Sequence, residues 1–183
     1  MLQKNKGLLL SLYWICALLI SVGSHAENET ARNLFADYRS AILQIRIIDL
    51  SSGSKSAIGS GFPIDSSGLI ATNYHVIELA ASEPQQYRIE YLTDSNQTGL
   101  LTLVDVDVVN DLALVKAELM VAEPLQLAAT ESEAGVPVYA LGNPLDLGLT
   151  VVPGTYNGIN KSSYYPRVHF TGSLNSGMSG GPT

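Results

Sequence analysis

Ser56-Ala57-Ile58-Gly59-Ser60-Gly61-Phe62-Pro63-Ile64, then Asp65-Ser66-Ser67-Gly68, then Leu69-Ile70-Ala71-Thr72 reads as a β-forming run, a cluster of turn formers and a second β-forming run. The rhythm extends in both directions. Ala41 to Ile48 precedes it, and Tyr87 to Leu92, Leu100 to Val109, Leu112 to Ala117, Val136 to Leu141, Leu149 to Ile159 and Arg167 to Thr171 follow, all rich in Val, Ile, Leu, Thr or Tyr. Ser51-Ser52-Gly53-Ser54, Asp94-Ser95-Asn96 and Gly142-Asn143-Pro144 supply further turns. Short strands at such spacing predict an all-β sandwich or barrel. Helical periodicity is scarce and is expected only in the polar lead Glu29 to Ser40, where Leu34, Phe35 and Tyr38 form an apolar side. Glu118 to Gly135 breaks the strand rhythm and reads as a connection between two halves.

Composition limits the function classes. The 183 residues are 46% hydrophobic and 15% charged, as in an ordinary globular chain of about one domain. Only 10 Lys and Arg stand against 17 acids, giving a formal charge of −7 with no basic tract. Binding to nucleic acid or to an anionic lipid surface therefore lacks its electrostatic basis.

Lys4 and Lys6 precede the apolar run Gly7 to Val22, and the small-x-small triplet Ser24-His25-Ala26 follows. That order is a secretory signal peptide over residues 1–26, with processing expected between Ala26 and Glu27. The apolar run falls short of the ~20 residues a membrane-spanning helix needs, so an uncleaved membrane anchor is the alternative. The sole cysteine, Cys16, lies inside this run, so the mature chain holds no disulfide and no thiolate or Cys-based zinc chemistry. Tyr13-Trp14-Ile15 lacks the small residues that precede a lipid-modified cysteine. An exported protein, periplasmic or secreted, is expected.

Two histidines remain after residue 26, His75 and His169. His75 follows a β-type run as Thr72-Asn73-Tyr74-His75-Val76-Ile77, a strand-end position suited to a general base; alone, it reads first as a histidine satisfied by hydrogen bonds in a turn. Asp111 heads the apolar run Leu112-Ala113-Leu114-Val115 at the border of the core. A carboxylate there needs a partner, and an imidazole N–H is one; a turn cap at Asn110-Asp111 is the other reading. Gly177-Met178-Ser179-Gly180-Gly181-Pro182 brackets one serine with glycines, which lets backbone N–H groups converge on one point as an oxyanion hole. Such a donor is worth about 3–4 kcal/mol in a transition state. Taken alone, the same cluster also reads as a flexible linker.

Taken together and in order, these segments resemble the trypsin-like (chymotrypsin-fold) serine proteases, specifically the HtrA/Deg-type branch. Gly59-Ser60-Gly61-Phe62, Ile64-Asp65 and Leu69 to Val76 resemble that branch's glycine-containing strand, turn and catalytic-His region. Asp111 to Val115 resembles its Asp strand. Ala140-Leu141-Gly142-Asn143-Pro144 with Thr150 to Gly154 resembles the opening of its second barrel, and Leu174 to Gly181 its nucleophile loop. Met178 stands where that family often has Asn or Asp, a departure expected to alter only the local surface, and Thr171-Gly172-Ser173-Leu174 carries no acidic residue.

The resemblance implies two six-stranded β-barrels, the second incomplete in this chain because Thr183 follows Ser179 so closely. It places a protease domain at 41–183, with the first barrel at about 41–120 and the second from about 135, after a lead at 27–40. It implies a serine endopeptidase in which Ser179 is the nucleophile, His75 the general base and Asp111 its orienting group, with an oxyanion hole in the backbone of Gly177, Met178 and Ser179. No cofactor or metal is needed. Partners would be protein or peptide substrates, unfolded ones included, and a homo-oligomer is compatible with the family. His169 is read as a strand residue at the barrel surface, and Asn143 and Pro144 as a structural turn. From a different class, a catalytically silent binding or chaperone module on the same fold is the competing reading.

Overall fold

Residues 29–38 form a helix, α1, that leads into nine strands and one further helix in a computed structural model describing residues 29–143, 148–160 and 165–183. Residues 1–26, read from the sequence as a signal peptide and including Cys16, and Pro144 lie outside the described residues. The elements are β1 (Leu43–Asp49), β2 (Lys55–Pro63), β3 (Leu69–Thr72), α2 (Tyr74–Ser82), β4 (Tyr87–Leu92), β5 (Thr98–Asp107) and β6 (Leu112–Ala117). After a long connection come β7 (Pro137–Gly142), β8 (Thr150–Asn160) and β9 (Arg167–Thr171).

The first six strands close into an antiparallel barrel in the order β1-β2-β3-β6-β5-β4, with β4 pairing back onto β1. Closure leaves no sheet edge in this half. Period-2 alternation aims Leu43, Ile45 and Ile47 of β1, Ile70 of β3 and Val115 of β6 inward, all fully buried. Each contributes about 1.5–3 kcal/mol of transfer free energy. The turn before β3 is built by Asp65, whose Oδ1 accepts hydrogen bonds from the Ser67 and Leu69 N–H groups and the Ser67 hydroxyl.

The second half is an antiparallel sheet, β7-β8-β9, with a small core of Ala140, Val152 and Met178 against Phe170. The fold is thus mostly strand, a closed six-stranded barrel followed by a three-stranded second sheet. The predicted runs at β3, β4, β6 and β9 match the observed strands end for end, and the connection after β6 carries no strand.

One element departs from the sequence reading. His75 does not sit at a strand end but in the first turn of α2, which buries Val76, Ile77 and Ala80 in the barrel core. That helix places the histidine on a rigid support.

Candidate active site

Asp111 occupies the left-handed backbone region, with φ 57, between β5 and β6. An aspartate tolerates this conformation where its polar groups are used locally, and here its carbonyl and both carboxylate oxygens are. Its carbonyl accepts from the Tyr74 N–H at 3.2 Å and from Asn73 Nδ2 at 2.6 Å. Its Oδ1 accepts from the His75 backbone N–H at 2.9 Å, and its Oδ2 receives the His75 Nδ1–H at 2.7 Å. A carboxylate only accepts, so the imidazole proton sits on Nδ1 and Nε2 is left as an acceptor. The Asn73 side chain makes no cap of its own helix, and Asp111 caps α2 from the turn between β5 and β6. The carboxylate thus caps the start of α2 and meets the His75 ring, rather than capping its own turn at Asn110-Asp111 as the alternative sequence reading has it. The carboxylate lies at the border of the core, its side chain 28% exposed, and that of His75 is 51% exposed.

The loop carrying Ser179 is pinned against the barrel. Gly180 has φ 86, and a Cβ there would lie 2.2 Å from the Ser60 carbonyl oxygen and 2.4 Å from Thr72 Oγ1. Only glycine fits, so this glycine-rich stretch is a close-packed junction rather than a linker. Gly177 also takes a positive φ, 91. The Met178 N–H is spent on the Asn175 carbonyl at 3.1 Å, whereas among the described residues the Gly177 and Ser179 N–H groups have no acceptor. Of the three backbone positions expected to form an anion hole, Met178 thus has no N–H to give.

Met178 requires a second correction. Its side chain is 6% exposed and packs with Ala140, Val152 and Phe170, so it is core and not local surface. His169 is exposed on β9, as read from the sequence.

His75, Val76, Ser176, Gly177 and Ser179 line one cavity of about 450 Å³, floored by Lys55 to Ile58 of β2. A roomier cleft of about 870 Å³, lined by Tyr87, Tyr91, Leu101 and Ala117, lies at the opposite side of the barrel and holds none of these groups. Convergent chemistry, not volume, marks the site. The polar residues that the sequence reading left without a role are Ser60, Thr72 and Gln44, and Asn143 was read only as part of a turn. A serine between two glycines inside an apolar strand was their one visible signal.

A closed antiparallel barrel followed by a second antiparallel sheet, with the Ser179 loop packed against both, is the chymotrypsin-like double-barrel architecture. The chain belongs to the trypsin-like peptidase domain family, whose model matches residues 59–183. It is similar to the chloroplastic Protease Do-like 5 of Arabidopsis thaliana, with 32% identity over 152 residues covering 74% of this chain and 47% of that protein. It is also similar to a probable periplasmic serine endoprotease, DegP-like, of Marinomonas sp., with 31% identity over 138 residues covering 71% of this chain and 28% of that one. The chain thus spans less than half the length of these relatives. Among solved structures, Deg5 superposes with a TM-score of 0.72 at 28% identity, covering 85% of this chain and 79% of that one. The serine endoprotease from Yersinia pestis superposes at 0.69 with 24% identity, over 82% of this chain and 52% of that one, a likeness of fold.

Proposed function

We propose that this chain carries the catalytic centre of an exported serine endopeptidase of the HtrA type. The observation that supports it best is the His75–Asp111 hydrogen bond of 2.7 Å on the wall of the cavity that Ser179 also lines. With Nδ1 committed to Asp111, Nε2 takes the Ser179 hydroxyl proton as the oxygen attacks a peptide carbonyl. The Gly177 and Ser179 N–H groups receive the negative oxygen of the tetrahedral intermediate. The imidazolium then protonates the leaving amine, the C–N bond breaks and an acyl ester on Ser179 remains. Water, deprotonated by His75, hydrolyses that ester and restores the hydroxyl.

In this reading residues 1–26 direct export and are removed, and the peptidase domain starts near residue 41, with its second half from about 135. Extended segments of unfolded proteins are the substrates, because an open cavity accepts a backbone rather than a folded surface. The centre acts on protein, and self-association would be a further property of the whole protein.

Hydrolysis of an unfolded protein by the full natural chain tests this. Wild type is expected to cleave it, while Ser179→Ala and His75→Ala lose turnover by ~10⁴-fold or more. A folded wild type without cleavage would instead favour the silent binding module.

A further inference from the structure

Ser60 is fully buried in β2, and each of its polar groups is used at the junction between the two halves. Its hydroxyl donates to the Gly177 carbonyl at 2.7 Å and accepts from the Asn143 N–H at 2.8 Å. Its backbone N–H donates to the Ser179 carbonyl at 2.7 Å, and its carbonyl accepts from Thr72 Oγ1 at 2.7 Å. Asn143 is held in turn by Gln44 Nε2 at 3.3 Å, from a glutamine that is itself fully buried. Gly142 lets β7 approach this close, since a Cβ there would lie 2.8 Å from the Met178 Cα and 3.1 Å from Ser60 Oγ.

We propose that Ser60 is the positioning residue of the anion hole, resting on the reading of Ser179 as nucleophile. The peptide plane between Gly177 and Met178 is gripped on both sides, by the Ser60 hydroxyl at its carbonyl and by the Asn175 carbonyl at its N–H. The plane after Ser179 is gripped by the Ser60 backbone N–H. With these planes fixed and Gly177 in the left-handed region, the Gly177 and Ser179 N–H groups have one remaining direction, into the cavity they line. A hole built this way costs no reorganisation when charge develops. Removing the hydroxyl frees the Gly177–Met178 peptide plane, which links the two donors, while leaving His75, Asp111 and the cavity floor untouched.

The test is steady-state kinetics and phosphonate labelling of Ser60→Ala in the full natural chain, beside a core variant, Ile47→Val, that calibrates the effect of stability loss alone. The expected result is a kcat lower by about 10–100-fold with KM unchanged, because a misaimed donor costs less than a deleted one, and labelling slowed in parallel. Ile47→Val should keep wild-type kcat at its own melting-temperature loss. If Ser60→Ala fails to fold, Ser60→Cys, of similar size but with a weak donor, is read the same way. A kcat within about twofold of wild type, a change confined to KM, or a loss no greater than that of a destabilised core variant overturns the proposal. Wild type that labels while the Ser60 variant labels equally removes only the role of Ser60; wild type that never labels removes the nucleophile reading and this inference with it.

Discussion

At the scale of single residues, Met178 separates what a loop does from what its side chains do. Its N–H is bonded to Asn175 and its side chain fills the core of the second sheet, so it serves the site through packing. An amide placed among Ala140, Val152 and Phe170 would lose the thioether's contacts and bury polar atoms without partners. Met178→Asn is therefore expected to cost about 2–4 kcal/mol in stability. Thermal or denaturant unfolding checks it, and a near-neutral change would return Met178 to the surface where the sequence reading put it. The candidate trio was readable from the order His75, Asp111, Ser179 together with the family resemblance, since each residue alone also reads as a turn histidine, a turn cap or a linker serine. Ser60 was not, since a buried serine announces itself only through the carbonyls it meets.

At the scale of elements, strands were easier to read than the one helix inside the barrel. Leu69 to Thr72 alternates cleanly, but Tyr74-His75-Val76-Ile77 continues it with β-compatible residues, and no Ser, Asp or Thr at the helix start donates a cap. The cap comes from Asp111, 36 residues away from His75, and no local pattern reveals a cap supplied by tertiary structure. This double duty yields a distinguishing pair of substitutions. Asp111→Asn keeps an oxygen for the His75 N–H, so its melting temperature should stay near wild type while kcat falls by ~10⁴-fold through the wrong imidazole tautomer. Asp111→Ala should lose activity and also about 1 kcal/mol of stability with the cap. Equal stability in the two variants would show that the carboxylate does not hold the start of α2.

At the scale of the whole molecule, the site exists only where the two halves meet. His75 and Asp111 belong to the barrel, Ser179 to the loop after β9, and the contacts joining them run through Ser60, Thr72, Asn143 and the Leu141 N–H, which donates to the Pro182 carbonyl at 3.0 Å. The barrel's closure makes one wall rigid, and the glycines at 180 and 181 allow the other to be pressed against it. The all-β class was foreseeable from nine short strands with turn-forming spacers, and the double-barrel architecture from the family resemblance. The junction was not, because it depends on which backbone groups of distant strands face each other. The most direct test of this account is mass-spectrometric mapping of the adduct formed when the full natural chain reacts with a serine-directed phosphonate. A single phosphonyl group on Ser179, absent from Ser179→Ala and formed far more slowly in His75→Ala, is the predicted result; a folded protein that forms no adduct, or forms it on another serine, would contradict it.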